Sequence, residues 1–269
     1  MKLDQVYREL LSLKVVTTQD ITRAVQEFTD LKPRTQYVQT KYISPLKKRG
    51  LMTRVRRGLY YVRSPNEGDD LPEMDKFLVA SRIRDNYYIS HHAALEIHGA
   101  AESVFWTVHI SVPQNLRFQQ FHFNNVAFKS VSTKEPKMSN TSFPRKGKTV
   151  LASNPTRTFL DCIDRPDYVG GWEECLKSLS SLPGIDVNEL VDLIDLYDKS
   201  ILNNKAGYVL DLLRQNSVYY EHISDDGLSR IEERLNGLMY YLSGRERTQR
   251  SKRWNLYIPI GFETYLRGI

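Results

Sequence analysis

Leu3, Val6, Leu10 and Leu13 recur three or four residues apart, so a helix over about residues 2–13 sets them on one stripe. Thr17 or Thr18 then caps a second helix over TQDITRAVQEF, with Asp20 near the positive end of its dipole. After a break at Leu31–Lys32–Pro33, the four-residue recurrence of Val38, Tyr42 and Leu46 predicts a third helix over about 34–49, with those residues inward. Pro45 interrupts that pattern and predicts a kink, or a new helix capped by Ser44 with Pro45 in its first position. Gly50 ends the helix. In LMTRVRRGLYYV two β-type runs flank Arg56–Arg57–Gly58, where Gly58 can supply the positive φ of a tight hairpin. Three helices followed by an arginine-tipped hairpin predict a winged helix-turn-helix over 1–64.

The stretch from Ser64 to Glu73, SPNEGDDLPE, is polar, acidic and broken by Pro and Gly, which predicts a linker over 65–73. A second domain then fills 74–269. It opens with a helix over about 74–84, the short run YYIS and a helix over HHAALEIHG. Strand-like runs follow: VFWTVHISV, FQQFHF and VAFKSV. From Thr156 onward the pattern is helical, in TRTFLDCI, WEECLKSL, DVNELVDLIDLY, AGYVLDLLRQ and GLSRIEERLNGLMYYL, before RWNLYIPI as a last strand. Strands grouped before helices predict an α+β domain with an antiparallel sheet and a helical bundle. The whole chain is therefore expected to be α+β.

Charge changes the picture because it is unevenly spread. Residues 1–64 hold 14 of the 38 Lys and Arg but 5 of the 32 Asp and Glu, a net of +9, whereas the remainder nets −3. A clustered cationic module attracts a polyanion, and duplex DNA is the expected partner. On the third helix, residues opposite the inward stripe are Gln36, Tyr37, Thr40, Lys41, Ser44 and Lys47. Gln36 can read an adenine edge, and Tyr37 and Thr40 can meet a thymine methyl or a phosphate. Lys41, Lys47 and Lys48 suit phosphates, which fix register without reading sequence. Arg54, Arg56 and Arg57 crowd the hairpin, where a guanidinium can enter the minor groove.

Other chemistry is sparse. Hydrophobic residues at 41% and charged residues at 26% are ordinary for a globular protein. No apolar run reaches the roughly 18 residues that span a bilayer. The start, MKLDQVYRELLSLK, is an amphipathic helix and not a signal peptide, so no membrane partner and a cytoplasmic location are expected. Cys162 and Cys175 sit in apolar helical stretches without metal-ligand spacing. His91, His92 and His98 fit a helix start with partly buried imidazoles: His91 and His98 are two full turns apart without a well-placed carboxylate ligand, Glu96 being only a loose candidate. Carboxylate pairs such as Asp192/Asp195 and Glu232/Glu233 fit solvated helix faces. With no Gly-rich phosphate loop and no nucleophile–base pairing, no catalytic residue, metal or cofactor is expected, and the chain is not read as an enzyme. A nuclease would need a strand with paired acids and a lysine, which the runs in 104–131 do not offer.

Five segments carry a family resemblance: RRGLYYV (56–62), ISHHAALEIHG (89–99), PTRTFLDCIDRPDYVGGWEECLKSL (155–179), KAGYVLDLL (205–213) and RWNLYIPI (253–260). Together they resemble the AbiEi family of antitoxins from abortive-infection toxin–antitoxin systems. The resemblance implies a winged-helix domain that represses its own operon at inverted repeats. It also implies a C-terminal antitoxin domain that counteracts a nucleotidyltransferase-like toxin, with or without direct contact. The rival reading is a winged-helix transcription factor whose C-terminal domain senses a ligand or dimerises, with no toxin. Within the long block, Thr156 can cap a helix whose Phe159, Leu160 and Ile163 face inward. Arg157 lies in the first turn, where a cation opposes the dipole, so Asp161 four residues on is its expected partner. The block either shapes the domain or, through Arg157, Asp161 and Arg165, faces a partner.

Overall fold

The computed structural model describes residues 2–29, 32–67, 74–145, 147–245 and 247–266. It is a mixed α+β fold in two compact units. Unit 1 takes Met1–Asp85 with two returning segments, Phe121–Ala127 and Pro144–Val150; unit 2 takes Asn86–Gln120, Phe128–Phe143 and Leu151–Ile269. The sequence reading started the second domain at residue 74, whereas the helix Lys76–Ser81 groups with unit 1. Of the expected linker, residues 68–73 lie outside the described residues, as does Leu31 of the expected break.

Unit 1 runs α1 (Lys2–Leu13), β1 (Val15–Thr17) and α2 (Thr18–Thr29), then a composite helix, then β2 (Met52–Arg56) and β3 (Leu59–Val62). The strands form an antiparallel sheet in the order β1-β3-β2. Thr17 and Asp20 close a reciprocal cap: the Asp20 N–H donates to Thr17 Oγ1 at 3.2 Å, and the Thr17 N–H donates to Asp20 Oδ2 at 2.8 Å. Val6, Leu10, Ile21, Val25, Val38, Leu46 and Val62 fill the core of this unit, as their periodicity requires.

The composite helix answers Pro45 in an unexpected way. It is α-helical over Thr35–Val38 (α3), π-helical over Gln39–Ile43, and α-helical again over Ser44–Lys48 (α4). Ser44 keeps helical dihedrals and caps nothing, so there is no fresh start at Pro45. Pro45 has no N–H to give the carbonyl four residues back, and its ring crowds that carbonyl; the wide turn relieves both defects without a break. It also brings Ile43 into the core beside Tyr42.

After α5 (Lys76–Ser81), unit 2 is built on β4 (Tyr88–Ser90), α6 (His92–His98), β5 (Thr107–Val112), β6 (Phe121–Phe123), β7 (Val126–Ser132), β8 (Asn140–Arg145) and β9 (Lys148–Ser153), whose returning segments count with unit 1. Its sheet places β7, β5, β4, β9 and β8 in that order. It is mixed and not purely antiparallel: β4 runs antiparallel to β5, with Ile89 opposite Ile110, and parallel to β9, with Ile89 opposite Ala152. The helices are α7 (Pro155–Asp164), α8 (Trp172–Ser180), α9 (Val187–Tyr197), α10 (Ile201–Asn216) and α11 (Asp225–Glu232). The helix expected to run on to Leu242 stops at Glu232, and a small sheet of β10 (Tyr240–Tyr241), β11 (Thr248–Ser251) and β12 (Leu256–Pro259) follows.

Two details show what short segments in unit 2 do for its packing. Asn154, not Thr156, caps α7 by accepting from the Arg157 N–H at 2.9 Å; Thr156 is buried and accepts from the Asp186 N–H. On α10, a Cβ at Gly207 would stand 2.0 Å from the Trp254 ring, so the absence of a side chain lets the indole lie flat on the helix. That indole donates to Asp211 Oδ2 at 3.0 Å and is buried among apolar side chains. Among the described residues no helix is long and apolar enough to cross a membrane.

Candidate nucleic-acid interface

The composite helix presents two faces. Val38, Tyr42, Ile43 and Leu46 are buried, while Gln36, Tyr37, Thr40, Lys41, Lys47 and Lys48 are exposed and Ser44 is half-buried. Thr40 donates its hydroxyl to the Gln36 carbonyl at 2.8 Å, so in this state its oxygen retains acceptor capacity outward. Tyr37 packs on Tyr42 at 6.2 Å between ring centres and remains 39% exposed. Arg34, exposed at the start of α3, extends the cationic face. The sequence reading places Arg34 at the start of the expected helix but does not count it among the DNA-facing residues.

The hairpin is short and tied down. Gly58 has φ +78°, and its carbonyl accepts from the Thr18 N–H at 2.9 Å, anchoring the turn to the start of α2. A bulge between Arg54 and Arg56 breaks the in–out alternation around buried Val55. In consequence Arg54 and Arg57 are exposed, but Arg56 is half-buried with its guanidinium 4.9 Å from the centre of the Phe121 ring. Burial, and next the charge of Arg84, hold Arg56 below the usual arginine range. Lys41, Lys47, Lys48, Arg54 and Arg57 have no carboxylate ion pair among the described residues; the pairs within unit 1 are Lys14–Glu67, Arg49–Asp4 and Arg82–Asp20. Burial alone would raise the Asp20 carboxyl, yet the Thr17 amide and hydroxyl and the Arg82 guanidinium outweigh it and hold it below its ordinary value.

The expected partner-facing trio in unit 2 does not form a surface. Arg157 is fully buried and Asp161 is 4% exposed; of the three, only Arg165 lies outside the core. The Arg157 guanidinium donates to the carbonyls of Glu135 and Met138 and to Thr133 Oγ1, and it stacks 4.1 Å from the centre of the Tyr88 ring. It therefore fastens the 133–139 turn to α7. Asp161 makes no ion pair with Arg157 and accepts instead from the Tyr197 hydroxyl. Two carbonyls and a hydroxyl hold this buried guanidinium in place of its carboxylate neighbour, although Arg157 Nε has no hydrogen-bond partner among the described residues.

The buried histidines pack against protein, although neither ring nitrogen of His109 has a hydrogen-bond partner among the described residues. His92 lies between Glu96 at 3.2 Å and Glu174 at 3.1 Å and stacks on Phe105, and His98 Nε2 is 2.8 Å from the Ser153 carbonyl. His109 is buried against Tyr168, 4.4 Å between ring centres, and burial lowers its pKa to about 3. Among the described residues no group of three His, Cys, Asp or Glu is placed to hold a metal ion.

No protein-family model matches the sequence, and no curated protein does. Among solved structures, the chain is similar to the RV2827C protein from Mycobacterium tuberculosis, with a TM-score of 0.68 at 14% identity, covering 100% of this chain and 95% of that one. That likeness is one of fold.

Proposed function

We propose that the protein is a DNA-binding regulator whose unit 1 acts as a winged helix-turn-helix, with the composite helix in the major groove. The observation that carries this reading is a set of five exposed cations, Lys41, Lys47, Lys48, Arg54 and Arg57, without carboxylate partners among the described residues, beside the polar readers Gln36 and Thr40. Solvent-facing basic groups of this kind displace counterions from a polyanion. The order α1-β1-α2-helix-β2-β3 and the β1-β3-β2 sheet support the same docking mode.

The test is fluorescence anisotropy on duplexes from upstream of the protein's own gene and on unrelated duplexes, across salt. Affinity is expected to fall by orders of magnitude between about 50 and 200 mM salt. Lys47→Ala with Lys48→Ala should flatten the log–log salt slope by about two, and Gln36→Ala should change sequence preference more than overall affinity. An affinity indifferent to salt, or a slope unchanged in the double variant, removes this face from the interface.

From the family resemblance, the regulator is further proposed to be an autorepressing antitoxin that counteracts a nucleotidyltransferase-like toxin. Growth rescue on co-expression with a toxin gene from the same operon checks this, and failure of rescue leaves the transcription-factor reading with no toxin.

A further inference from the structure

Unit 2 encloses a cavity of about 320 Å³ between the sheet, α7 and the end of α9. At about 30 Å³ per water in the liquid, it holds on the order of ten waters, the size of a small-molecule site and not of a packing defect. Its chemistry is graded. Deep in it, Asp161 lies beside Tyr88 and Tyr197: Oδ1 accepts from the Tyr197 hydroxyl, while Oδ2 is buried without a hydrogen-bond partner. A buried carboxylate oxygen with no donor is costly unless something supplies one. Burial pushes this carboxyl up to about 6, against the pull of the Arg157 charge and then the Tyr197 hydroxyl.

One wall is His91, held in a positive-φ conformation (φ 56°, ψ −137°) that a side-chain-bearing residue adopts at a cost. Its Nδ1 is 2.8 Å from the Ser90 hydroxyl, which accepts from Ser111, another cavity residue. Burial lowers the His91 pKa to about 3, so its ring is neutral and, with Nδ1 engaged by Ser90, has one ring nitrogen left to offer. Leu196 and Val131 supply apolar surface. The remaining charged lining is Lys134, Arg165 and Lys199 against the single carboxylate of Asp164, which lies 2.6 Å from Lys199 and 3.9 Å from Arg165, while Lys134 has the exposed Asp198, outside the lining, at 3.7 Å.

A ligand that fits has an N–H donor for Asp161, a flat body for the tyrosine and aliphatic walls, and an anion for the cations. We propose that this cavity binds a nucleoside monophosphate, its base donating to Asp161 and its phosphate held by Arg165, Lys199 and Lys134. A single amino acid meets the charge pattern but leaves much of the volume to water. The proposal does not depend on DNA binding by unit 1.

The test is isothermal titration and thermal shift of the full chain with AMP, GMP, CMP and UMP. The matching nucleosides, inorganic phosphate and glutamate serve as comparison probes. At least one monophosphate is expected to bind and raise Tm with concentration, more than its nucleoside or phosphate does alone. Arg165→Ala with Lys199→Ala, both outside the packed core, should weaken that binding about tenfold or more. Asp161→Asn, which swaps an acceptor for a donor, should change the base preferred. No response to any of the four overturns the proposal. So does binding that survives the Arg165/Lys199 double variant, or tighter binding of phosphate alone or of glutamate.

Discussion

The two units use their basic residues in opposite ways. In unit 1, Lys41, Lys47, Lys48, Arg54 and Arg57 are exposed and lack carboxylate partners among the described residues. In unit 2, several cations are turned inward or paired, although others such as Lys137, Arg250 and Lys252 are exposed: Arg157 is buried among carbonyls, Lys199 pairs with Asp164 at 2.6 Å, and Arg253 pairs with Glu232 at 2.9 Å. Arg214 is likewise held by Asp225. A cation buried among its own chain's acceptors, as Arg157 is, has little left for a partner, whereas an exposed, unpaired one keeps its full field. Charge counting along the sequence sees the imbalance, but the difference in use follows from placement.

The sharpest way to break this contrast is Arg157→Ala. It leaves two carbonyls and a hydroxyl without their donor in the interior, so urea unfolding of unit 2 should lose about 3–5 kcal/mol. A loss below 1 kcal/mol would mean that the 133–139 turn finds water instead, and that Arg157 is no structural rivet.

Asp161→Asn tests the neighbouring carboxyl. Its folded pKa, about 6, lies above the ordinary 3.8, so its favourable contribution is complete below about 3.8 and is lost as pH rises through about 6. His91 and His109, held down at about 3, act in the other sense: their contribution is full above 6.5 and is lost as pH falls toward 3. Comparing Asp161→Asn with the parent cancels the histidines. The variant should gain on the parent by up to about 3 kcal/mol between pH 4 and pH 7.5 in denaturant titrations. A difference constant across pH would show that Asp161 titrates at its ordinary value.

The smallest effect on stability should come from the lysines proposed to meet DNA. Lys47→Ala with Lys48→Ala should change the unfolding free energy by less than about 0.5 kcal/mol. A larger loss would give these lysines a structural role and weaken the contrast between the units.

Amphipathic period made much of this molecule legible. Val6, Leu10, Val38, Tyr42 and Leu46 are inward as their spacing requires, and Gly58 turns the hairpin with a positive φ. Strands β8 and β9 were not foreseen, because β8 carries Pro144 and is largely solvent-facing, without a clean alternation. The choice between a structural and a partner-facing Arg157 stays open in the sequence because its acceptors lie 19 to 24 residues upstream in an irregular turn, which no local pattern reports. The bulge at Val55 is equally silent in sequence, and it decides that Arg56 stacks on Phe121 while Arg54 and Arg57 do not. The cavity draws its lining from five separated stretches of chain and has no linear signature.

The wide turn at Gln39–Ile43 acts as a phase setter. One surplus residue in a helical turn swings everything after it by roughly 100° relative to uninterrupted α-helix. Counted without the surplus, Lys47 would share the azimuth of Gln36 and Thr40; with it, Lys48 takes that bearing. Removing a single residue from the turn would thus re-aim the second half of the helix while leaving its composition almost intact.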